Sequence, residues 1–441
     1  MKDSILVTTK QKSTLSKVLS AALPLLIAGA VWSTPPNLFQ KSELNVLFVS
    51  NNNNSSIDND LLKKNLDPSI RKDEWPEIIT LDKNPLRVEY TINRDLNDYV
   101  KKLLVKYKSD YSTVVVIDNQ TGNIISAVGY EGTSQRFNNN LVFSNTHPSA
   151  SIFKIITSAE LLKNNKVDVD TRFTFTGRST TLYKNQLRET ASVRWARPQT
   201  FRKAFALSNN VIFAKAAMKN ISPNSIYKTA NDFGFNQQLM DEVNLPQSYV
   251  NIPEDPYQMA QLASGFNDET TMSPVHGALL SSVIANDGVM KLPNLVTRLV
   301  NNKGETIWTK QMRDRRVLDK ETSEKMRELM SSTIDEGTAR KGFRKMRTLY
   351  RQELEIGGKT GHITGGTPFG KRDWFTAFAM PKAPEFGKGI SICVMNVNVK
   401  RWHVRSSAVA KEVIEYYYGK VLPIGQNVTK VAKKKYIRRD V

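Results

Sequence analysis

"THPSASIFKIITSAELL", residues 146–162, decides how the rest of the chain is read. It has the apolar content of a buried helix, yet Lys154 stands among Ile152, Phe153, Ile155 and Ile156. A buried lysine is costly unless its charge is removed or compensated. Ser151 lies three residues earlier, and positions i and i+3 share one face of a helix. Pro148 disfavours helix before it, so Ser151 falls in the first turn, near the positive end of the helix dipole. A serine hydroxyl becomes a nucleophile when a base takes its proton. A lysine is such a base only if its pKa drops far below ~10.4. Apolar burial moves it that way, and so does a second cation nearby.

The pair alone is ambiguous. About two Ser-x-x-Lys matches are expected by chance in a chain of this length and average composition. Two others do occur, at Ser69-Ile70-Arg71-Lys72 and Ser225-Ile226-Tyr227-Lys228. Two further motifs separate them. "FALSNNVIFAKAA" contains Ser208-Asn209-Asn210, and "IGGKTGHITGG" contains Lys359-Thr360-Gly361 at the end of a strand-like run. Ser151 and Lys154 precede both from within an apolar run; Ser69-Ile70-Arg71-Lys72 also precedes them, but in a charged stretch. Ser225 follows the first triplet; of the other such triplets, Ser50-Asn51-Asn52 lies in an Asn-rich tether and Ser222-Pro223-Asn224 has a proline at its centre.

Around these motifs the 441-residue chain is 40% hydrophobic and 24% charged, ordinary for a globular protein with a sizeable core. Its one cysteine, Cys393, sits in the apolar run "GISICVMNVNV", which excludes an intrachain disulfide and a cysteine metal site and reads as a buried strand position. No metal ligand set and no cofactor motif is found. The net charge of +21 suggests an anionic surface nearby. The basic clusters at 339–351 and 430–441 read first as solvated faces, then as contacts to an anionic cell envelope. No helix-turn-helix, zinc spacing or aromatic–basic motif supports nucleic acid as a partner.

Lys10, Lys12 and Lys17 precede the apolar run 18–32, and Ala28-Gly29-Ala30 offers a small-residue cleavage pattern. The run is short of the ~20 residues of a spanning helix. Residues 1–33 are expected to be a signal peptide or membrane anchor, and 34–85 a tether and short N-terminal region. Order is expected from "LRVEYTI", 86–92, which alternates like a strand. "NRDLNDYVKKLLVKY" has helical spacing, and "STVVVIDNQTGNIISAVGY", 112–130, reads as a hairpin. Residues 150–340 read as mainly helical. The runs "ELEIGGKTGHI", "DWFTAFAMP" and "GISICVMNVNV" read as strands, followed by an amphipathic helix. The expected fold is α+β: one antiparallel sheet, with strands from both ends of the chain, flanked by helices and a helical lobe. The main domain is expected at 86–423, with a basic tail at 424–441.

The three motifs, in this order, resemble the serine penicillin-binding transpeptidases. That family's signature is Ser-x-x-Lys, then Ser-x-Asn, then Lys-Thr/Ser-Gly. "VVVIDNQTGNIISAVG", "DEGTARKG" and "RDWFTAFAM" also match in position and character. The resemblance implies the β-lactamase/transpeptidase-like fold and a D,D-transpeptidase exported to the periplasm or the outer face of the cytoplasmic membrane. Peptidoglycan stem peptides and β-lactams would be its ligands. It also implies the site. Ser151 attacks a D-alanyl-D-alanine carbonyl, Lys154 is its base, and Ser208 relays the proton to the leaving amine. Lys359 supplies charge beside Ser208. Asn210, Thr360, Gly361 and His362 bind substrate, Gly361 by leaving room for it against the strand. The backbone N–H groups of Ser151 and His362 form the oxyanion hole.

One departure stands out. The family usually has Thr or Ser directly after Lys-Thr-Gly, whereas this chain has His362-Ile363. The ring either turns to solvent or reshapes the leaving-group pocket and makes it pH-sensitive. His147, His276 and His403 read as structural. Glu242 is the nearest candidate for a deacylating glutamate, and its context is poor. A D,D-carboxypeptidase or endopeptidase, or a β-lactam sensor, shares the acylation machinery. No glycosyltransferase domain is expected between the apolar segment and the first strand, which implies a separate glycan polymerase as partner.

Overall fold

The computed structural model describes residues 57–188 and 194–424. The expected signal or anchor, the Asn-rich tether and the basic tail lie outside these residues, as do the first residues ahead of Ile57. Among the described residues no helix is long and apolar enough to cross a membrane.

The β-branched runs Tyr111–Asp118 (β1) and Ile124–Glu131 (β2) pair as the expected hairpin. Asp118 fixes the turn by accepting hydrogen bonds from Thr121 N at 3.0 Å and Thr121 Oγ1 at 2.9 Å. Arg136–Phe137 (β3), Leu354–Gly365 (β4), Gly370–Pro381 (β5) and Ile390–Asn398 (β6) complete an antiparallel sheet in the order β4-β5-β6-β1-β2-β3. N- and C-terminal segments thus interleave, as expected. β4, the strand carrying Lys359-Thr360-Gly361, is an edge, so every second N–H along it has no strand partner.

Both faces of the sheet are covered. This explains why β6 is apolar almost throughout: alternate side chains feed two different cores. Cys393, Met395 and Val397 pack toward the helical lobe. Ile390, Ile392 and Val394 pack toward a core shared with the helices Arg94–Tyr107 and Ser406–Tyr416. On the lobe side, Pro274–Ala285 is buried at every position, as befits a helix apolar all round. Cys393 is a buried free thiol, pushed up out of its ordinary range by burial.

Three expectations need correction. The strand near 86–92 does not join the main sheet. Asn84–Tyr90 lies in a second sheet with Ile78–Leu81, Val296–Val300 and Thr306–Thr309. Its clean alternation marks a strand buried on one face only, unlike the doubly buried main sheet. The stretch 289–316 is accordingly four short strands rather than helix. Order also begins before residue 86. Asn59–Arg71 is a helix whose Leu62, Leu66 and Ile70, spaced by four, enter the main core. Its lysines, asparagines and Pro68 hid that stripe from composition.

Candidate active site

The turn that carries Ser151 is a 3-10 segment, Ala150–Phe153, which runs into the α-helix Lys154–Lys163. Ala150 enters it with a φ of +50°, in the left-handed region that costs a non-glycine residue roughly 1–2 kcal/mol. The segment is pinned from β5: Trp374 Nε1 donates to Pro148 O at 3.0 Å, and Arg372 lies 3.1 Å from His147 Nδ1. It is also pressed from below. Gly265, with a φ of +61°, ends the helix Pro256–Ser264, and a Cβ there would stand 2.0 Å from Ala150 O.

Ser151 and Lys154 meet as their spacing requires, with Nζ 2.9 Å from Ser151 Oγ. Lys154 is fully buried. Its other partners are Asn210 Oδ1, at 2.8 Å, and the carbonyl of Ser264. Both of these only accept hydrogen bonds. Burial first, and the charge of Lys359 second, hold its pKa well below the ordinary lysine range. A neutral amine has two N–H bonds and one lone pair. The two N–H bonds go to Asn210 and Ser264, which leaves the lone pair for the Ser151 hydroxyl proton.

Asn210 opens the helix Asn210–Asn220, and its Nδ2 donates to Thr180 O at 3.0 Å. Its side chain therefore positions Lys154. Ser208, just before this helix, adopts a φ of +57°, strain of the kind found at functional sites. Lys359 Nζ lies 2.9 Å from Ser208 Oγ and 2.9 Å from Thr360 O. Lys359 is buried, and that burial lowers its pKa to about 7. The first, second and third motifs thus converge on two linked serine–lysine pairs.

Gly361 faces the Ser151 turn. A Cβ there would come within 3.2 Å of Ile152 Cγ1 and 3.3 Å of Ala150 Cβ. Protein packing thus favours a glycine here. Thr360 is buried, and its hydroxyl sits 2.6 Å from that of Thr338. Thr338 N in turn donates to Ala206 O at 3.0 Å, which ties β4 to the Ser208 turn. His362 does not turn free into solvent: its Nε2 lies 2.8 Å from Asp373 Oδ1, its cross-strand neighbour on β5.

Sequence reasoning missed Thr338, Thr180, Ser264, Gly265 and Asp373. "DEGTARKG" and "RDWFTAFAM" contain two of them and were the available signal. A backbone carbonyl such as that of Ser264 leaves no sequence signal. The decoy pair is plainly structural. Ser225 completes a capping box with Ser222, and exposed Lys228 pairs with Asp232 at 3.0 Å. His147 and His276 are buried, bonded to backbone carbonyls, and lowered to about 3 and about 4 by desolvation. Glu242 is paired with Lys310 at 3.2 Å. Among the described residues no cluster of His, Cys, Asp or Glu is arranged to hold a metal ion.

The family model of the penicillin binding protein transpeptidase domain matches residues 112–415. Stage V sporulation protein D of Bacillus subtilis is 23% identical over 302 residues, which cover 63% of this chain and 44% of the relative. The chain spans less than half the length of the curated relatives it matches. Two solved structures share the fold. The D,D-transpeptidase domain of a peptidoglycan glycosyltransferase from Eggerthella lenta has a TM-score of 0.60 at 20% identity, covering 76% of this chain and 83% of that one. Penicillin binding protein 3 of Mycobacterium tuberculosis, complexed with ampicillin, has a TM-score of 0.63 at 18% identity, covering 76% and 78%.

Proposed function

Since the chain belongs to the family of penicillin-binding protein transpeptidase domains, we propose that it is a peptidoglycan D,D-transpeptidase working through an acyl-enzyme on Ser151. The observation that carries this is the valence of Lys154, whose two acceptor-only partners leave its lone pair to Ser151.

In the first half-reaction Ser151 Oγ attacks the carbonyl of the penultimate D-alanine of a stem peptide, and its proton passes to Lys154 Nζ. The developing oxyanion is met by the N–H groups of Ser151, in the first turn of its helix, and His362, on the edge strand. One such donor is worth about 10²–10³ in rate. The C–N bond then breaks, and the terminal D-alanine leaves as an amine. Ser208, bonded to Lys359, is placed to hand it the proton. A β-lactam enters the same step, but its opened ring stays attached.

In the second half-reaction an amine from another stem peptide attacks the Ser151 ester and completes the cross-link. Donor and acceptor peptides lie outside the cytoplasm. This fits residues 1–33 as an export signal or anchor, and a separate enzyme as the source of the glycan strand. The tether would lead from that segment to a catalytic body that starts with the helix Asn59–Arg71, and 424–441 would be a basic tail.

Product analysis on a pentapeptide stem substrate, with and without an amine acceptor, tests the reaction. Cross-linked dimer in the presence of acceptor supports it. Tetrapeptide alone in both samples means that water takes the acyl group and the protein is a carboxypeptidase.

A further inference from the structure

Asp373 holds an unusual position. It is 4% exposed, and its two carboxylate oxygens serve two different elements. Oδ1 meets the His362 ring at 2.8 Å. Oδ2 accepts from Ser406 N at 2.7 Å, at the start of the helix Ser406–Tyr416. That helix begins at Arg405, which makes no side-chain cap, so Asp373 does the capping from β5. A carboxylate at a helix N-terminus is favourably placed. The Ser406 hydroxyl donates to Asp373 O, accepts from Asn396 Nδ2 at 3.0 Å, and so connects to Ser112 through Asn396. Asp373 is thus fixed by the fold before His362 reaches it.

His362 is the exposed partner of the two, with 35% of its side chain open to solvent. Its Nε2 is committed to Asp373. Among the described residues Nδ1 has no hydrogen-bond partner. Strand alternation puts His362 on the same face of β4 as Thr360, one residue past the Lys-Thr-Gly run. The ring packs 5.3 Å from Trp402, which also carries Lys371 Nζ at 4.7 Å and the Arg405 guanidinium at 5.8 Å. The charged groups around the ring are therefore Asp373, Lys371 and Arg405, with Lys359 on the other face of the strand. Asp373 alone bonds to the ring.

We propose that Asp373 is a positioning residue of the acylation site. Acting through His362, it fixes both the strand segment that supplies the oxyanion donor and the ring tautomer, so that Nδ1 is the nitrogen offered to substrate. This inference rests on the proposed function. With the ring neutral, Nδ1 is an acceptor and repels the terminal carboxylate of a D-alanyl-D-alanine substrate or of a penicillin. With the ring protonated, Nδ1–H donates a charge-assisted hydrogen bond to it. A hydroxyl at this position would donate at any pH. His362 instead offers a ring nitrogen that accepts in the neutral form and donates in the protonated one.

The test compares acylation of the full chain by a penicillin and by its carboxyl methyl ester, from pH 5.5 to 8.5. The acid-to-ester rate ratio cancels the steps common to both, including proton transfer to Lys154. We expect the wild-type ratio to be about tenfold larger at pH 5.5 than at pH 8.5, the size of one charge-assisted hydrogen bond. Lys359 also titrates in this range, so the variants make the assignment. His362→Gln and Asp373→Asn should flatten the ratio. The double variant should change it no further, and His362→Thr should give a preference for the acid that does not vary with pH. A wild-type slope that persists in His362→Gln overturns the inference and assigns the slope to Lys359. Should Asp373→Asn fail to fold for want of the helix cap, His362→Gln still decides, because Asp373 remains in place to cap. A wild type that neither compound acylates contradicts the proposed function itself. Acylation with a ratio independent of pH overturns only this inference.

Discussion

A neutral Lys154 with two acceptor-only neighbours is left to accept the proton of the Ser151 hydroxyl, and this arrangement sets the pH behaviour of the site. Lys154 is held well below the ordinary lysine range by burial and by Lys359. Protonation removes the lone pair, so acylation should fall on the acid side. Replacing Lys359 with Met removes the neighbouring cation and lets Lys154 hold its proton to higher pH. The acid limb of any residual acylation should then move upward, as a pH profile with fluorescent penicillin would read. Lys154→Ala should lose about 10²–10⁴ in acylation rate, the usual contribution of a positioned base. Lys359 also affects stability. Its folded pKa is about 7 against an ordinary 10.5, so between these values the unfolded chain binds more protons than the folded one. Stability should therefore rise with pH across that window. Lys359→Met should raise Tm at pH 7 and reduce the rise between pH 7 and 9. A variant with a lower Tm than wild type at pH 7 would contradict this.

At the level of elements, the site is a meeting of four backbone segments, and close approach decides its tolerance. Gly265→Ala places a Cβ against Ala150 O, on backbone that cannot yield easily, in a left-handed conformation. It should cost at least about 2 kcal/mol in a denaturant titration, within the range of strain-producing substitutions. Gly361→Ala meets only the ends of the Ile152 and Ala150 side chains, and should cost about 1–2 kcal/mol as mild overpacking. Because Ile152 adjoins Ser151, acylation should fall more than stability does. A Gly361→Ala enzyme with full acylation would show that the turn is not held against β4 as described.

The same scale shows what the sequence could convey. Ser151, Lys154, Ser208, Asn210 and Lys359 were legible because helix spacing and motif order are local signals. Their assembly was legible only through the family resemblance. Asn210 was found by its motif, but its contacts to Lys154 and Thr180, which come from other segments, were not. Ser264, Gly265 and Thr338 act through main-chain approach between segments far apart in sequence, and one-dimensional spacing does not encode that. The helix Asn59–Arg71 was hidden by polar composition, and the second sheet by strands of four and five residues around residue 300.

Across the whole molecule, the sheet separates two cores, and the first of them extends to residues well before the first motif. Leu66 is fully buried in that core from the helix Asn59–Arg71. Leu66→Ala should cost about 2–5 kcal/mol, as for other buried leucines. The loss should appear as a lower midpoint of the main unfolding transition, with acylation per folded molecule unchanged. A separate early transition would mean that this helix is an appendage. The account as a whole rests on one covalent bond, and peptide mass spectrometry after incubation with penicillin measures it. The expected result is a single adduct on the peptide containing Ser151, absent in Ser151→Ala. An adduct on Ser225 or Ser208, or none on the folded wild-type protein, would contradict it.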